Sequence, residues 1–371
     1  MSRTARLLLT ILAALLCAVF VPRAQAETGY YRQFRIFIVS SYHRTYLWSQ
    51  DVQSGLCAAL LESGLLSSIE EQNEFTEKDV LENERVVLRK VWMDTKRKNS
   101  RRQIADAVAQ IVKEVEEFRP DIILLGDDNA SNYVGNQYID TAIPVVFWGV
   151  NGLPVRYGLI DSIDRPGHNV TGIYQAGYLQ ENIIFLKRLV PEIRTMAILS
   201  DDSPTGRSKV KAIERLAETE ELPVKIIGSV VTNAYEEWKE RALRMSKKVD
   251  SFFVLNHNTL KDVNGNAVDQ LEAGRWYLEN IRKPDCAQEK QFAQEGILLV
   301  VDDSGFKQGF DAMKVALDIL LKGQDPALIP VTAPTRGPVI INRRRAEMLG
   351  LDISGIDFIE QYIDEAMALQ P

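Results

Sequence analysis

From Arg35 onward, short runs of aliphatic and β-branched residues alternate with longer stretches whose apolar positions recur every three or four residues. Residues 36–39, 86–93, 122–125, 145–148, 196–199, 224–227, 252–255, 297–301 and 339–342 are strand-length segments rich in aliphatic and β-branched residues. Residues 50–62, 102–118, 181–189, 207–220, 238–245, 268–280, 307–320 and 343–349 carry the helical period. Alternation of this kind predicts βαβ units around parallel sheets, because a parallel pair needs a crossover long enough to hold a helix. Pro120 and Pro191 close helical runs, and Ser, Asp or Asn stands where most strands hand over to helices. The predicted class is α/β, with two doubly wound parallel-sheet lobes of similar size. Irregular stretches at 149–177 and 323–338 read as crossings of a hinge, and the charged segment Glu70–Lys98 reads as solvated surface.

The first 26 residues do not fit this alternation. Arg3 and Arg6 precede an apolar run from Leu7 to Val21, and the small residues Ala24 and Ala26 follow it, which predicts a secretory leader cut after Ala26. The run is shorter than the ~20 apolar residues a membrane-spanning helix needs. Leu16 stands before Cys17, where a lipid-anchor signal wants a small residue, so a soluble periplasmic form is expected. The 345 residues after Ala26 exceed what one core ordinarily serves. The expected partition is 27–152 with about 305–333 in lobe 1, and 153–304 with about 334–371 in lobe 2. Losing the three leader arginines takes the formal charge from −7 to −10, which argues against a nucleic-acid partner. Cys57 and Cys286 fall in different lobes and are read as buried free thiols.

In open parallel sheets, ligands bind beyond the carboxyl ends of the strands, where helix N-termini converge. Those ends carry Ser40 and Tyr42, then Asp127, Asp128 and Asn129, then Asn151 in the first half. In the second half they carry Asp201, Asp202, Ser203 and Thr205, then Asn256 and His257, then Asp302 and Asp303. Helix capping accounts for any one of them taken alone. The combination of three Asp-Asp pairs with Tyr42, Tyr46, Trp48, Trp148 and Tyr174 suits a small ligand with an amino or other cationic group and some apolar surface. His43, His168 and His257 lack metal-ligand spacing, and neither a nucleophile elbow, a Walker loop nor a Gly-x-Gly-x-x-Gly turn occurs. Neither metal nor cofactor is therefore expected. A hydrolase pairing Asp127 with Asp303 across a closed cleft is the enzymatic alternative.

Four patches carry a family resemblance: AIPVVFWGVN (142–151), PGHNVTGI (166–173), FLKRLVPEIRTMAIL (185–199) and PTRGPVIINRRRAEMLGL (334–351). They resemble the substrate-binding proteins of ABC transporters of the tryptophan/tyrosine-type uptake class, which have the type I periplasmic binding protein fold. The resemblance implies a non-enzymatic protein that closes two lobes on a small solute and presents it to a membrane permease, and a monomer is expected because a large homodimer contact would obstruct that closure. Carried over by position, it points to Ser40, Tyr42, Asp127, Asn129 and Asn151 on one lobe and to Asp202, Ser203, Thr205, Asn256 and Asp303 on the other. Trp148 and Tyr174 join them as aromatic candidates. SSYHRTYLW (40–48) and HNTLKDVNGNAV (257–268) look more like the version of this domain in sensor-kinase ectodomains, which makes such an ectodomain the alternative partner.

Overall fold

The computed structural model describes residues 32–151, 154–219 and 222–370, so the leader expected at 1–26 lies outside the described residues. From Phe34 the chain builds two sheets. The first uses β1 (Phe34–Ser40), β2 (Val80–Glu82), β3 (Val86–Trp92), β4 (Ile122–Gly126), β5 (Val145–Val150) and β6 (Val170–Tyr174), in the order β2-β3-β1-β4-β5-β6. Only the β2–β3 pair is antiparallel. Both faces of β1 are buried, as its unbroken apolar run requires. Ile36 and Ile38 pack under α1 (Leu47–Glu62) and α9 (Gly305–Lys322), while Phe37 and Val39 pack under α3 (Arg101–Phe118).

The second sheet uses β7 (Thr195–Ser200), β8 (Lys225–Val231), β9 (Ser251–Val254), β10 (Asp285–Ala287), β11 (Leu299–Val301), β12 (Val339–Asn342) and β13 (Gln361–Ile363), in the order β13-β12-β11-β10-β9-β7-β8. Its pairs are parallel except β11–β12. Met196, Ile198 and Phe253 face α4 (Leu179–Leu189), α5 (Pro204–Thr219) and α10 (Arg343–Leu349). Ala197, Leu199 and Phe252 face α6 (Tyr235–Ser246), α7 (Gln270–Asn280) and α8 (Lys290–Glu295). The architecture is therefore two doubly wound α/β lobes. Cys57 and Cys286 are buried and unbonded, one in the core of each.

Several details depart from the sequence reading. Residues 170–174, expected within an irregular crossing and beyond a boundary at 153, form β6 of the first sheet. Glu70–Lys98 is not simply solvated surface: it contains α2 (Ile69–Lys78), β2 and β3, with Lys90 and Lys96 buried. Apart from these departures, α9 follows β11 in sequence and packs along α1 beside the first sheet. Two glycines make that packing possible. A Cβ on Gly55 would stand 2.0 Å from the Phe306 carbonyl oxygen, and one on Gly309 would stand 2.3 Å from that of Val52. Backbone cannot yield as a side-chain tip can, so Gly55→Ala is expected to cost about 1–3 kcal/mol. Urea unfolding measures it; an unchanged midpoint would show that the helix pair can slide apart freely.

Among the described residues the chain crosses between the lobes at Gln175–Tyr178, Asp302–Ser304 and 333–338. They are tied to one another: Gly177 N donates to Asp303 Oδ2 (2.6 Å), Tyr178 Oη to the Pro334 carbonyl (2.5 Å) and Gly337 N to the Asp302 carbonyl (2.7 Å). Gly177 and Tyr178 both have positive φ, 83° and 43°. A tyrosine is held there only by surrounding contacts, which marks this crossing as a strained point of the hinge.

Candidate functional site

The carboxyl ends of the two sheets face each other. On the first lobe, the chain leaving β1 places Tyr42 and Tyr46 edge to face, with centroids 5.2 Å apart, and then starts α1 at Leu47 with Trp48 in its first turn. The turn after β4 holds Asp127 at φ 65°, a left-handed conformation unfavourable for a residue with a Cβ. Its Oδ1 accepts from Trp48 Nε1 at 2.9 Å. Burial first, and then the neighbouring Asp128, raise the Asp127 carboxyl well above the usual carboxylate range. Burial likewise keeps Tyr42 and Tyr46 neutral phenols.

The second lobe brings Thr205 and Lys209 from α5, Asn256 from the end of β9 and Glu289 from the turn before α8. Lys209 and Glu289 form a buried ion pair at 2.5 Å. Burial would raise Glu289, but attraction and hydrogen bonding from Lys209, with Lys96 behind, outweigh it and hold the carboxyl below its ordinary value. Gln175 from the hinge donates to the same carboxylate at 3.2 Å. These groups and Asn151 enclose a void of about 10 Å³, flanked by two cavities of about 360 Å³ each that open between the lobes.

Direct bonds already join the lobes around this void. Tyr46 Oη accepts from Asn258 Nδ2 (2.6 Å) and Gln291 Nε2 (2.9 Å), and Thr205 Oγ1 donates to Asp128 Oδ2 (3.1 Å). Asp128 in turn accepts from Asn151 N and the Tyr157 hydroxyl. The structure is thus an arrangement in which polar side chains of one lobe complete those of the other.

Of the expected site residues, Tyr42, Asp127, Asn151, Thr205 and Asn256 line the inner void. Asn129, Asp202 and Ser203 line one flanking cavity, with Asn129 donating to Thr95 Oγ1, Asp202 pairing with Arg207 and Ser203 bonding to Asp201. Ser40, Trp148, Tyr174 and Asp303 line neither the void nor the flanking cavities. Ser40 is buried as the last residue of β1. Trp148 is a core residue, wedged under Gly126, because strand alternation turns it away from the cleft. Tyr174 ends β6 and bonds to the hinge through its backbone. Asp303 spends its carboxylate on Gly177 N, so the pairing with Asp127 imagined for a hydrolase has no support in the hydrogen bonding. His257 is buried inside the second lobe, with Nε2 2.9 Å from Glu295 Oε2. Lys96, Lys209, Gln175, Glu289 and Gln291 were not picked out from the sequence. For Lys96 a signal existed, since it follows the predicted strand 86–93 just as Tyr42 follows the first.

The hinge aspartates give a pH dependence. Burial is the main cause raising Asp302 and Asp303 to about 7. The folded protein therefore holds protons that the unfolded chain releases near pH 4, and stability falls as pH rises from about 4 to about 7. Asp303→Asn keeps an acceptor for Gly177 N and removes the buried charge. It is expected to raise the melting temperature at pH 8 and to leave it nearly unchanged at pH 4. A drop at pH 8 with little change at pH 4 would mean instead that the charge itself stabilises the hinge.

Comparison with known proteins agrees with this fold. A tyrosine-binding protein of Clostridioides difficile (strain R20291) is 22% identical over 219 residues, which cover 59% of this chain and 60% of that protein's length. Among solved structures, an ABC domain in complex with L-Trp from Streptococcus pneumonia superposes with a TM-score of 0.68 at 18% identity, over 89% of this chain and all of that one. A ligand-free, open substrate binding protein with adhesive properties from Clostridium difficile gives 0.62 at 17% identity, over 89% of this chain and 99% of that one. At these identities the superpositions speak for the fold, that of type I periplasmic binding proteins. Residues 84–358 match the family model described as ABC transporter substrate binding protein, and with most of the chain inside that match, the protein belongs to the family of ABC transporter substrate binding proteins.

Proposed function

We propose that this chain captures a small solute with an amino or other cationic group and an aromatic or apolar body, closing its two lobes on it outside the cytoplasm and delivering it to the permease of an ABC transporter. The observation that carries the reading is the inner shell: Tyr42, Tyr46, Trp48 and Asp127 from one lobe face Thr205, Lys209, Asn256 and Glu289 from the other. Aromatic faces and a carboxylate suit a cation with apolar surface. Groups from both lobes around one space favour the closed arrangement by their difference in affinity for ligand between closed and open states. The relatives that bind L-Trp or tyrosine support an amino-acid-like ligand. The protein acts as a periplasmic monomer, its leader removed after Ala26, and as a binding protein rather than an enzyme.

A second partner has one observation in its favour. The two segments that resemble sensor ectodomains meet at one mouth of the cleft, where His43, Thr45 and Leu47 face Asn258, Ala267 and Val268. A surface reading the closed state there could belong to a sensor kinase instead of a permease. The test of capture is mass spectrometry of compounds released on denaturing the purified protein, joined to a thermal-shift screen of amino acids and amines. A released compound that raises the melting temperature with concentration supports capture. No shift from any of them would remove the basis for it. Stimulation of a reconstituted transporter ATPase by the loaded protein then separates permease from sensor.

A further inference from the structure

The site described so far leaves one cation unexplained. Lys96 lies beyond the carboxyl end of β3 and is 4% exposed. Its ammonium stands 4.3 Å from the ring centre of Tyr42 and 5.2 Å from that of Tyr46. It forms neither a hydrogen bond nor an ion pair with any described residue. The other buried lysines of this lobe interface and its flank are provided for: Lys209 pairs with Glu289, and Lys90 donates to Gln53 Oε1. Lys96 is also the side chain common to the inner void and both flanking cavities, so it stands where the space from the two mouths converges.

Two tyrosine faces favour the positive charge but offer no acceptor to its three N–H donors. Burial is the main influence pushing the Lys96 ammonium below its ordinary pKa, and Asp201, Glu289 and Asp127 pull against it from beyond ion-pair distance. Asp127 complements it. Oδ1 is held by Trp48, while Oδ2 accepts no hydrogen bond from the described residues. One unused donor set and one unused acceptor therefore border the same small space.

We infer that Lys96 is the receptor for a carboxylate on the captured solute, with Asp127 taking its ammonium, so that the site selects zwitterions over plain amines. This rests on the capture reading above. An anion docking on Lys96 would satisfy the donors that the tyrosine rings cannot, and the ligand's apolar part would share those rings. Lys96 thus becomes the specificity-determining residue, while Tyr42 and Tyr46 set the apolar contact.

The test is calorimetric titration of the full chain and its Lys96→Met and Lys96→Arg variants with two matched pairs, L-tyrosine against tyramine and L-tryptophan against tryptamine. In the unaltered protein at least one amino acid is expected to bind about 30-fold or more tighter than its amine. Lys96→Met should abolish most of that ratio by weakening the amino acid alone, and Lys96→Arg should keep most of it. The melting temperature of Lys96→Met is expected to be unchanged or higher, since an unsatisfied buried charge is removed. Equal weakening of both members of a pair, or a ratio unaffected by Lys96→Met, overturns the inference while leaving capture intact. If the unaltered protein binds neither amino acids nor amines here and in the wider thermal-shift screen, capture itself fails and the inference with it.

Discussion

Asp127→Ala is expected to weaken capture of an amine-bearing solute by about 100-fold, the scale seen when one partner of a buried charge-assisted contact is removed. The residue is fixed from both directions. Its φ of 65° is imposed by the turn after β4, and its Oδ1 is anchored by the Trp48 indole, so the carboxylate cannot swing away from the space it borders. The raised pKa adds a pH signature with a definite sign. A carboxyl that holds its proton in the closed cleft must release it when a ligand ammonium docks, so affinity rises with pH while the ligand remains a cation. Asp127→Asn should lose both the affinity and the slope. Titration calorimetry at pH 6 and pH 8, in two buffers of different ionisation enthalpy, reads affinity and proton release together. Unaltered binding by Asp127→Asn would place the ligand's ammonium elsewhere.

Arg345→Met is expected to lower stability by about 3–5 kcal/mol, because removing one partner of a buried ion pair strands the other. Arg345 and Asp285 are both 0% exposed and meet at 2.6 Å. The guanidinium also bonds the carbonyls of Leu278, Ile281 and Lys283, so one side chain ties α10 to the end of α7 and to β10. Asp285 uses its other oxygen on Leu298 N. Adding Asp285→Asn to the variant keeps that last bond and removes the stranded charge, so the double variant should recover part of the loss. Urea unfolding measures both. A loss under about 1 kcal/mol for the single variant would show that water reaches Asp285 once Arg345 is gone.

The same residue shows why local pattern runs out. Arg343, Arg344 and Arg345 are consecutive and chemically alike, yet the first two pair with acids at the surface and the third is buried under α10. A helix turns 100° per residue, and only the packing of α10 on its neighbours decides which arginine points inward. The errors at the cleft have a related origin. Trp148 and Gly149 are adjacent at a strand end, but the pleat sends the tryptophan into the core. Tyr46 and Trp48 were noticed as aromatics near a strand end, but their roles, joining the lobes and anchoring Asp127, depend on partners from 79 to 245 positions away in the chain.

What the sequence by itself determined was the alternation of strands and helices, the α/β class, the family, and the rule that the site lies beyond the strand ends. These follow from periodicity, capping and short family-like phrases that act over a few residues. Tertiary structure alone decided that β6 belongs to the first sheet, that the backbones of α9 and α1 meet closely at Gly55 and Gly309, and that Lys96 stands among the cleft side chains with no partner of its own. The reason is physical: propensity and amphipathicity are properties of a segment, whereas burial of a charge and completion of its hydrogen bonds depend on which distant segments the folded chain brings alongside it.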